Sequence, residues 1–357
     1  MISGDRTLAS GKQGAFYNTL EELHTHFERI DIICPRVSVQ RYNMVVFGNV
    51  YVHPSPLPLV LQPLWIWFNG KQLIHRLQHE LMTVHEYPPF YNGLGARLVN
   101  YATKVPYVLE LFHIPGVPRA SGLKEHFYRW LTRQIISWDA APARVVRVMN
   151  QRQVPAFLQD AGVPPQKIRT ISAVYVDTNV FTFHDKPKLY DVAFVGRMAS
   201  NKGLNLYLDV IEKLGCVGVA VGDGPLLSWA CRQAKRRGLK IHFPGFAVDS
   251  TEVARYLNES RVLLMPSLNE GGPRIVVESL ACGTPVVATP VGIVEDVLPP
   301  ECIEEWNTAD LADKVRNILE DATLYRRLSE QGIATAQQFE RTKAIAHLAD
   351  TLKSLVS

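Results

Sequence analysis

Cysteine is sparse in this chain of 357 residues. Its five cysteines, Cys34, Cys216, Cys231, Cys282 and Cys302, are scattered, odd in number and never spaced C-x-x-C. That pattern excludes a disulfide framework and zinc ribbon spacing, and it points to a reducing, cytoplasmic compartment. Long hydrophobic runs are lacking as well. The longest apolar stretch, residues 57–68, is interrupted by Pro58, Gln62 and Pro63, so it falls short of a membrane span and reads as a buried or interfacial segment. The opening Met1-Ile-Ser-Gly-Asp-Arg6 has no apolar core of the secretory kind. No Gly-x-Ser-x-Gly elbow and no Walker loop occur. His75 and His79 stand four apart on a predicted helix, but no third ligand accompanies them and Glu80 does not complete H-E-x-x-H, so no metal site is expected.

Charge of one sign is not in large excess either. The formal net charge is +4, with 47% hydrophobic and 20% charged residues, the composition of an ordinary globular protein. The charge is uneven, however: residues 1–186 hold 19 Lys and Arg against 13 Asp and Glu, while the remainder holds 19 against 21. An acidic surface would therefore dock on the N-terminal half. Within it, residues 121–138 read as a helix in which Leu123, Phe127, Trp130, Leu131 and Ile135 recur at helical spacing beside Lys124, Arg129 and Arg133. Such a helix can bind an anionic membrane face, and the same pattern also fits a core helix with a solvated basic rim.

What is present throughout is alternation of short apolar strands with helical patterns, which argues α/β architecture with parallel sheets. No internal repeat or low-complexity tract occurs. Strands are expected near residues 30–34, 45–52, 81–84, 107–111, 145–149 and 168–171, with helices between them including 17–27 and 69–79. In the second half they are expected near 192–195, 218–221, 241–243, 262–265 and 285–288, with a helix after each. At this length two domains are expected. The polar, proline-containing His184-Asp-Lys-Pro-Lys-Leu189 reads as the linker, giving domains 1–185 and 186–340, followed by an amphipathic helix in 341–357. Only Met1-Ile2-Ser3 precede Gly4, which is short for a first strand.

The most informative stretch is Glu270-Gly-Gly-Pro-Arg-Ile-Val-Val-Glu278. Before it, Arg261-Val-Leu-Leu-Met-Pro266 reads as a buried strand, and after it Ser279-Leu-Ala-Cys-Gly283 reads as a helix end stopped by glycine. The motif is thus strand, Gly-rich turn and helix N-terminus. Gly271 and Gly272 let backbone amides approach an anion that the helix dipole also favours, and carboxylates at Glu270 and Glu278 can accept hydrogen bonds from hydroxyls. Pro273 removes one donor but suits a first helical turn, and Arg274 would add positive charge there or face solvent.

E-x7-E followed by Ala281-Cys-Gly-Thr-Pro-Val-Val-Ala-Thr289 resembles the retaining GT-B glycosyltransferases of family 4. Phe194-Val-Gly-Arg-Met-Ala-Ser-Asn-Lys-Gly203, Val221-Gly-Asp-Gly-Pro225 and Phe243-Pro-Gly-Phe246 follow the family's order and spacing, so the likeness covers about residues 190–300. Over residues 1–185 it rests on His113, the Gly11-Lys-Gln-Gly14 loop and Asp177-Thr-Asn-Val-Phe181. The resemblance implies two Rossmann-like domains with parallel sheets facing across a cleft. The first would bind the acceptor and the second a nucleotide sugar, with the last helix packing back on the first.

Its implications for residues follow position by position. Arg197 and Lys202 would hold the donor's two phosphates, Glu270 the donor sugar hydroxyls, Glu278 the ribose hydroxyls, and His113 the donor sugar. Gly14 would lie under the phosphates, and Gly196, Gly222, Gly245, Phe246, Gly271, Gly272, Pro273 and Arg274 would complete the donor site. His85 and Glu86, after a predicted strand, could touch acceptor. No Asp-x-Asp occurs in the chain, so metal-independent transfer is expected, without a cofactor, the fixed cations supplying the charge that Mg²⁺ supplies elsewhere. The expected reaction moves a hexose from a UDP- or GDP-sugar to a hydroxyl acceptor, lipid-linked or a surface polysaccharide, with peripheral contact at the anionic inner membrane face. The alternatives are another GT-B enzyme, such as a phosphorylase or epimerase, and a non-catalytic sugar-nucleotide-binding partner.

Overall fold

The computed structural model describes residues 1–37 and 44–356. The chain forms two compact units. The first comprises Met1–Ile114, Phe127–Ala173 and Ile345–Ser357, and the second Pro115–His126 and Val174–Ala344.

In the first unit, α1 (Ala15–Leu23) leads to β1 (Ile30–Cys34), whose five residues are all buried. β2 (Met44–Val46) runs antiparallel to β3 (Val50–Pro54), which pairs in parallel with β1. A single strand was expected over 45–52. The chain instead reverses through Phe47 and Gly48, both at positive φ (53° and 80°), a conformation that ends one strand and starts a hairpin. α2 (Gln62–Leu77) follows, then β4 (Met82–His85), α3 (Tyr91–Thr103), β5 (Tyr107–Leu111), α4 (Leu123–Ala140), β6 (Val145–Val148), α5 (Gln153–Asp160) and β7 (Ile168–Thr170). Strands β4 to β7 lie in sequence order, all parallel. Ile2 links this sheet to β1: it bridges both Ile33 and Val84, donating to the Thr83 carbonyl at 2.7 Å and accepting from the His85 amide at 2.9 Å. Met1–Ser3 thus serve as a very short central strand.

α2 begins seven residues earlier than the helix expected at 69–79, because Pro63 falls in its first turn, where a missing N–H breaks no helical bond. It ends at Leu77, and Gln78 turns left-handed, so His75 and His79 do not share one helix as expected. His79 Nε2 instead meets Asp31 Oδ2 at 2.9 Å, and His53 Nε2 meets Asp31 Oδ1 at 2.7 Å.

The second unit is a five-stranded parallel sheet in the order β10-β9-β8-β11-β12. Its strands are β8 (Tyr190–Val195), β9 (Gly218–Val221), β10 (Ile241–Gly245), β11 (Ser260–Met265) and β12 (Val286–Ala288). The crossovers are α6 (Leu204–Leu214), α7 (Leu227–Arg237), α8 (Ser250–Asn258) and α9 (Arg274–Ala281), with α10 (Val294–Val297), α11 (Thr308–Glu320) and α12 (Ala322–Ala336) after the last strand. α13 (Arg341–Ser354) runs from this unit into the first. The division near 185 expected from sequence falls instead between Ala173 and Val174. Val174, Val176 and Phe181 are buried in the second core, and Val176 is tied by backbone hydrogen bonds to Phe339 (2.8 Å) and Arg341 (3.0 Å). The polar 184–189 stretch is also anchored: Asn258 Oδ1 accepts from the His184 amide at 2.7 Å, and the Lys188 ammonium donates to the Asn258 carbonyl at 2.8 Å. Among the described residues no helix is long and apolar enough to cross a membrane.

Candidate active site

In a parallel sheet all carboxyl ends lie at one edge, and in the second unit that edge gathers most of the residues singled out from sequence. β8 ends at Val195, and its loop carries Gly196, Arg197 and a short 3-10 turn, Ser200–Lys202. Gly203 then takes φ +66° to start α6, and a Cβ there would stand 1.9 Å from the Pro266 carbonyl oxygen. Only glycine lets the loop after β8 press on the end of β11. The Leu268 amide completes this contact by donating to the Asn201 carbonyl at 2.7 Å.

That apposition brings Lys202 to Glu270. The ammonium donates to Glu270 Oε1, which also accepts from Ser267 Oγ at 2.9 Å. Both side chains are largely shielded, at 24% and 14% exposure. Gly271 and Gly272 follow, and α9 starts at Arg274 with Pro273 in the cap position. Arg274 donates to the Tyr175 hydroxyl at 3.2 Å, with its guanidinium 4.4 Å from the ring centroid. Glu278 lies one turn beyond Arg274. Burial pushes its carboxyl up to about 7, against the opposing charge of Arg274. At neutral pH it therefore sits near the midpoint of its titration.

The neighbouring strand ends are laced together. The Gly196 amide donates to Val221 at 3.0 Å, the Met198 amide to Asp223 at 2.9 Å, and the Gly222 amide to Gly245 at 2.8 Å. Arg197 is exposed at this edge. Phe246, just past β10, is 78% exposed, an uncommon state for an aromatic on a sheet edge.

Sequence reasoning missed the support beneath Glu270. Asn269 is fully buried, and its Nδ2 donates to the Arg119 carbonyl at 2.7 Å and to Glu125 Oε2 at 2.9 Å. Glu125 also accepts from the Ser121 amide at 2.6 Å. Trp306 Nε1 and Thr289 Oγ1 both donate to the Ser267 carbonyl, at 2.8 and 2.5 Å. Polar Ser267 and Asn269 right after a buried strand were a readable signal; Arg119, Glu125 and Trp306 are too distant in sequence to give one.

The remaining predicted residues lie in the first unit. His113 stands two residues past the end of β5, and Gly14 caps the N-terminus of α1. His85 tilts against Phe112 with ring centroids 4.5 Å apart. Glu86, expected to be available to acceptor, is 1% exposed. It accepts from the Tyr87 amide at 2.8 Å and from the Gly93 amide, and Asp139 adjoins it.

Residues 177–335 match the family described as Glycosyl transferases group 1. That segment is similar to the group 1 glycosyltransferases. The chain aligns with an uncharacterized glycosyltransferase of Methanocaldococcus jannaschii at 22% identity, over 92% of this chain and 93% of the relative. Its fold matches sucrose-phosphate synthase of Thermosynechococcus elongatus with a TM-score of 0.81 at 16% identity, over 99% of this chain and 98% of the other. It also matches HepE of Anabaena, solved with UDP and glucose, with a TM-score of 0.75 at 18% identity, over 99% and 98%. The chain thus has the α/β GT-B fold expected from sequence.

Proposed function

We propose that this glycosyltransferase transfers a hexose from a UDP- or GDP-sugar to a hydroxyl acceptor, with retention of configuration and without a metal ion. The observation that carries the reading is the Lys202–Glu270 pair, held at the carboxyl edge of β8 and β11 directly before the Gly271-Gly272 turn and the N-terminus of α9. A sugar diphosphate presents the complement of that arrangement: anionic oxygens for Lys202, Arg197 and the helix-terminal amides, and hydroxyls for the Glu270 carboxylate. Glu278 would hold the ribose hydroxyls and Phe246 would cover the base.

In the reaction the bond from the anomeric carbon to the diphosphate breaks while a bond to the acceptor oxygen forms on the same face. The acceptor's proton passes to a phosphate oxygen. Negative charge grows on the diphosphate as it leaves, so Lys202 and Arg197 lower the barrier by stabilising it there. The solved complex of HepE with UDP and glucose makes UDP the first nucleotide to try. A lipid-linked or surface-polysaccharide acceptor is proposed on the basic surplus of the N-terminal half.

The test is a thermal-shift panel with UDP, GDP and their common sugar conjugates in the presence of EDTA, followed by NMR of the product's anomeric configuration. A rise in melting temperature with one nucleotide series and a product of retained configuration are expected. Loss of binding in EDTA, or an inverted product, overturns the reading.

A further inference from the structure

The helical layer of the first unit is apolar on both its sides. Inward, Pro63, Ile66, Gly70 and Ile74 form the buried stripe of α2. The contact with α3 is close, since a Cβ at Gly70 would stand 3.0 Å from Val99 and one at Gly95 2.7 Å from Ile66. Outward, where a surface helix is ordinarily polar, α2 presents Leu64 (51% exposed), Trp67 and Phe68 (59%) at i, i+3, i+4 spacing. α3, lying beside it, presents Leu98 and Tyr101, the latter 78% exposed. Two adjacent helices with exposed apolar stripes exceed the scattered exposure normal on a protein surface.

The charged residues of these two helices have one sign. α2 and α3 carry Lys71, Arg76 and Arg97, with Lys104 at the end of α3, and neither helix contains an Asp or Glu. Two of these cations sit beside the exposed rings: the Lys71 ammonium is 5.2 Å from the Trp67 ring centroid and that of Lys104 is 4.9 Å from Tyr101. Aromatic rings that settle at the headgroup boundary, flanked by lysines at phosphate level, are how a protein lies on an anionic bilayer without crossing it. A second copy fits less well, because a two-fold contact would set these cations against one another with no carboxylate on either helix to pair them.

We infer that the outer face of α2 and α3 docks on an anionic lipid bilayer, with Leu64, Trp67, Phe68 and Tyr101 entering the interface and Lys71 and Lys104 meeting the lipid phosphates. The inference rests on the proposed function only in that the membrane would carry the acceptor; docking itself requires no turnover.

Co-sedimentation of the full chain with vesicles of phosphatidylcholine, with and without phosphatidylglycerol, tests it. Pelleting is expected with the anionic vesicles alone, weakened by salt. The double variants Leu64→Ser with Phe68→Ser, and Lys71→Glu with Lys104→Glu, should each lower partition on the order of tenfold. Both should keep the parent's melting temperature and nucleotide binding, since the changed side chains face solvent. The inference is overturned if the protein stays in the supernatant with both vesicle types, or if the Leu64/Phe68 variant pellets like the parent. A dimer in sedimentation velocity that this variant dissolves would also overturn it, assigning the face to a second copy. Absence of transfer activity alongside pelleting would count against the proposed function and leave the docking standing.

Discussion

Lys202 and Glu270 each remove a cost from the other: an ammonium and a carboxylate, both largely shielded, would be poorly solvated alone. Lys202→Ala is expected to lower kcat/KM by about 100-fold or more, the scale seen when a group that stabilises developing charge is removed, and to lower the melting temperature because Glu270 loses its counter-charge. Steady-state kinetics beside a thermal melt checks it, and parent-like turnover would refute the role. Glu278 makes a pH-dependent prediction. Its carboxyl, at about 7 in the folded protein, lies above its ordinary value of 4.5, so between those two values the folded state holds a proton that the unfolded chain has released. That term disfavours folding progressively as pH rises across the window. In the proposed role of Glu278 binding runs the other way, because the carboxylate is the form that would accept from both ribose hydroxyls. Nucleotide affinity by calorimetry should weaken as pH falls from 8 to 6, and Glu278→Gln should flatten that dependence while weakening binding by about tenfold. Glu86 and Asp139 are a second raised pair: burial lifts both, Asp139 to about 6, and the neighbouring Asp139 charge lifts Glu86 further. Stability from this pair is present at low pH and lost as pH climbs through about 6. Asp139→Asn removes one of the two buried titrating carboxyls, so its melting temperature should change less between pH 5.5 and 8 than the parent's.

At the scale of elements, strands buried on both faces were the most legible. β5 and β9 begin and end where sequence alone set them, as expected for unbroken apolar runs in a parallel sheet. Errors came where one residue carries more information than the run around it. Gly48 splits the apolar 45–52 stretch into two strands, and Pro63, read as an interruption, opens a helix. The Glu270 to Glu278 stretch was legible because its turn, helix start and helix stop are all local. Glu86 was misjudged because a sequence shows that it follows a strand but not that Gly93 and the end of α4 close over it. Gly203 shows how strongly one local choice constrains an element pair. Gly203→Ala places a methyl against the Pro266 carbonyl at a left-handed φ, so the loop carrying Lys202 must move off β11. The expected outcome is a loss of stability of at least about 1 kcal/mol in denaturant unfolding, together with a loss of donor binding larger than that destabilisation alone would cause.

For the whole molecule, the division into two units decides which piece of chain should survive excision. A fragment cut where composition changes, residues 186–340, discards Val174, Val176 and Phe181, all buried in the second core, along with the hydrogen bonds that tie Val176 to Phe339 and Arg341. Three buried apolar side chains contribute about 2 kcal/mol each. A fragment spanning residues 174–344 keeps them, so it should melt roughly 10 °C or more above the shorter one, given about 2–4 °C per kcal/mol for a domain of this size. Neither fragment contains residues 115–126, whose Arg119 carbonyl and Glu125 carboxylate hold the buried Asn269 amide. The longer fragment is therefore expected to fold yet to bind nucleotide more weakly than the full chain, because the residue before Glu270 has lost both of its acceptors. Adding Asn269→Ala to the full chain separates the two effects. It removes the same hydrogen bonds without removing any chain, so it should reproduce the loss of binding in calorimetry. Parent-like affinity in that variant would show that residues 115–126 support the unit without positioning Glu270.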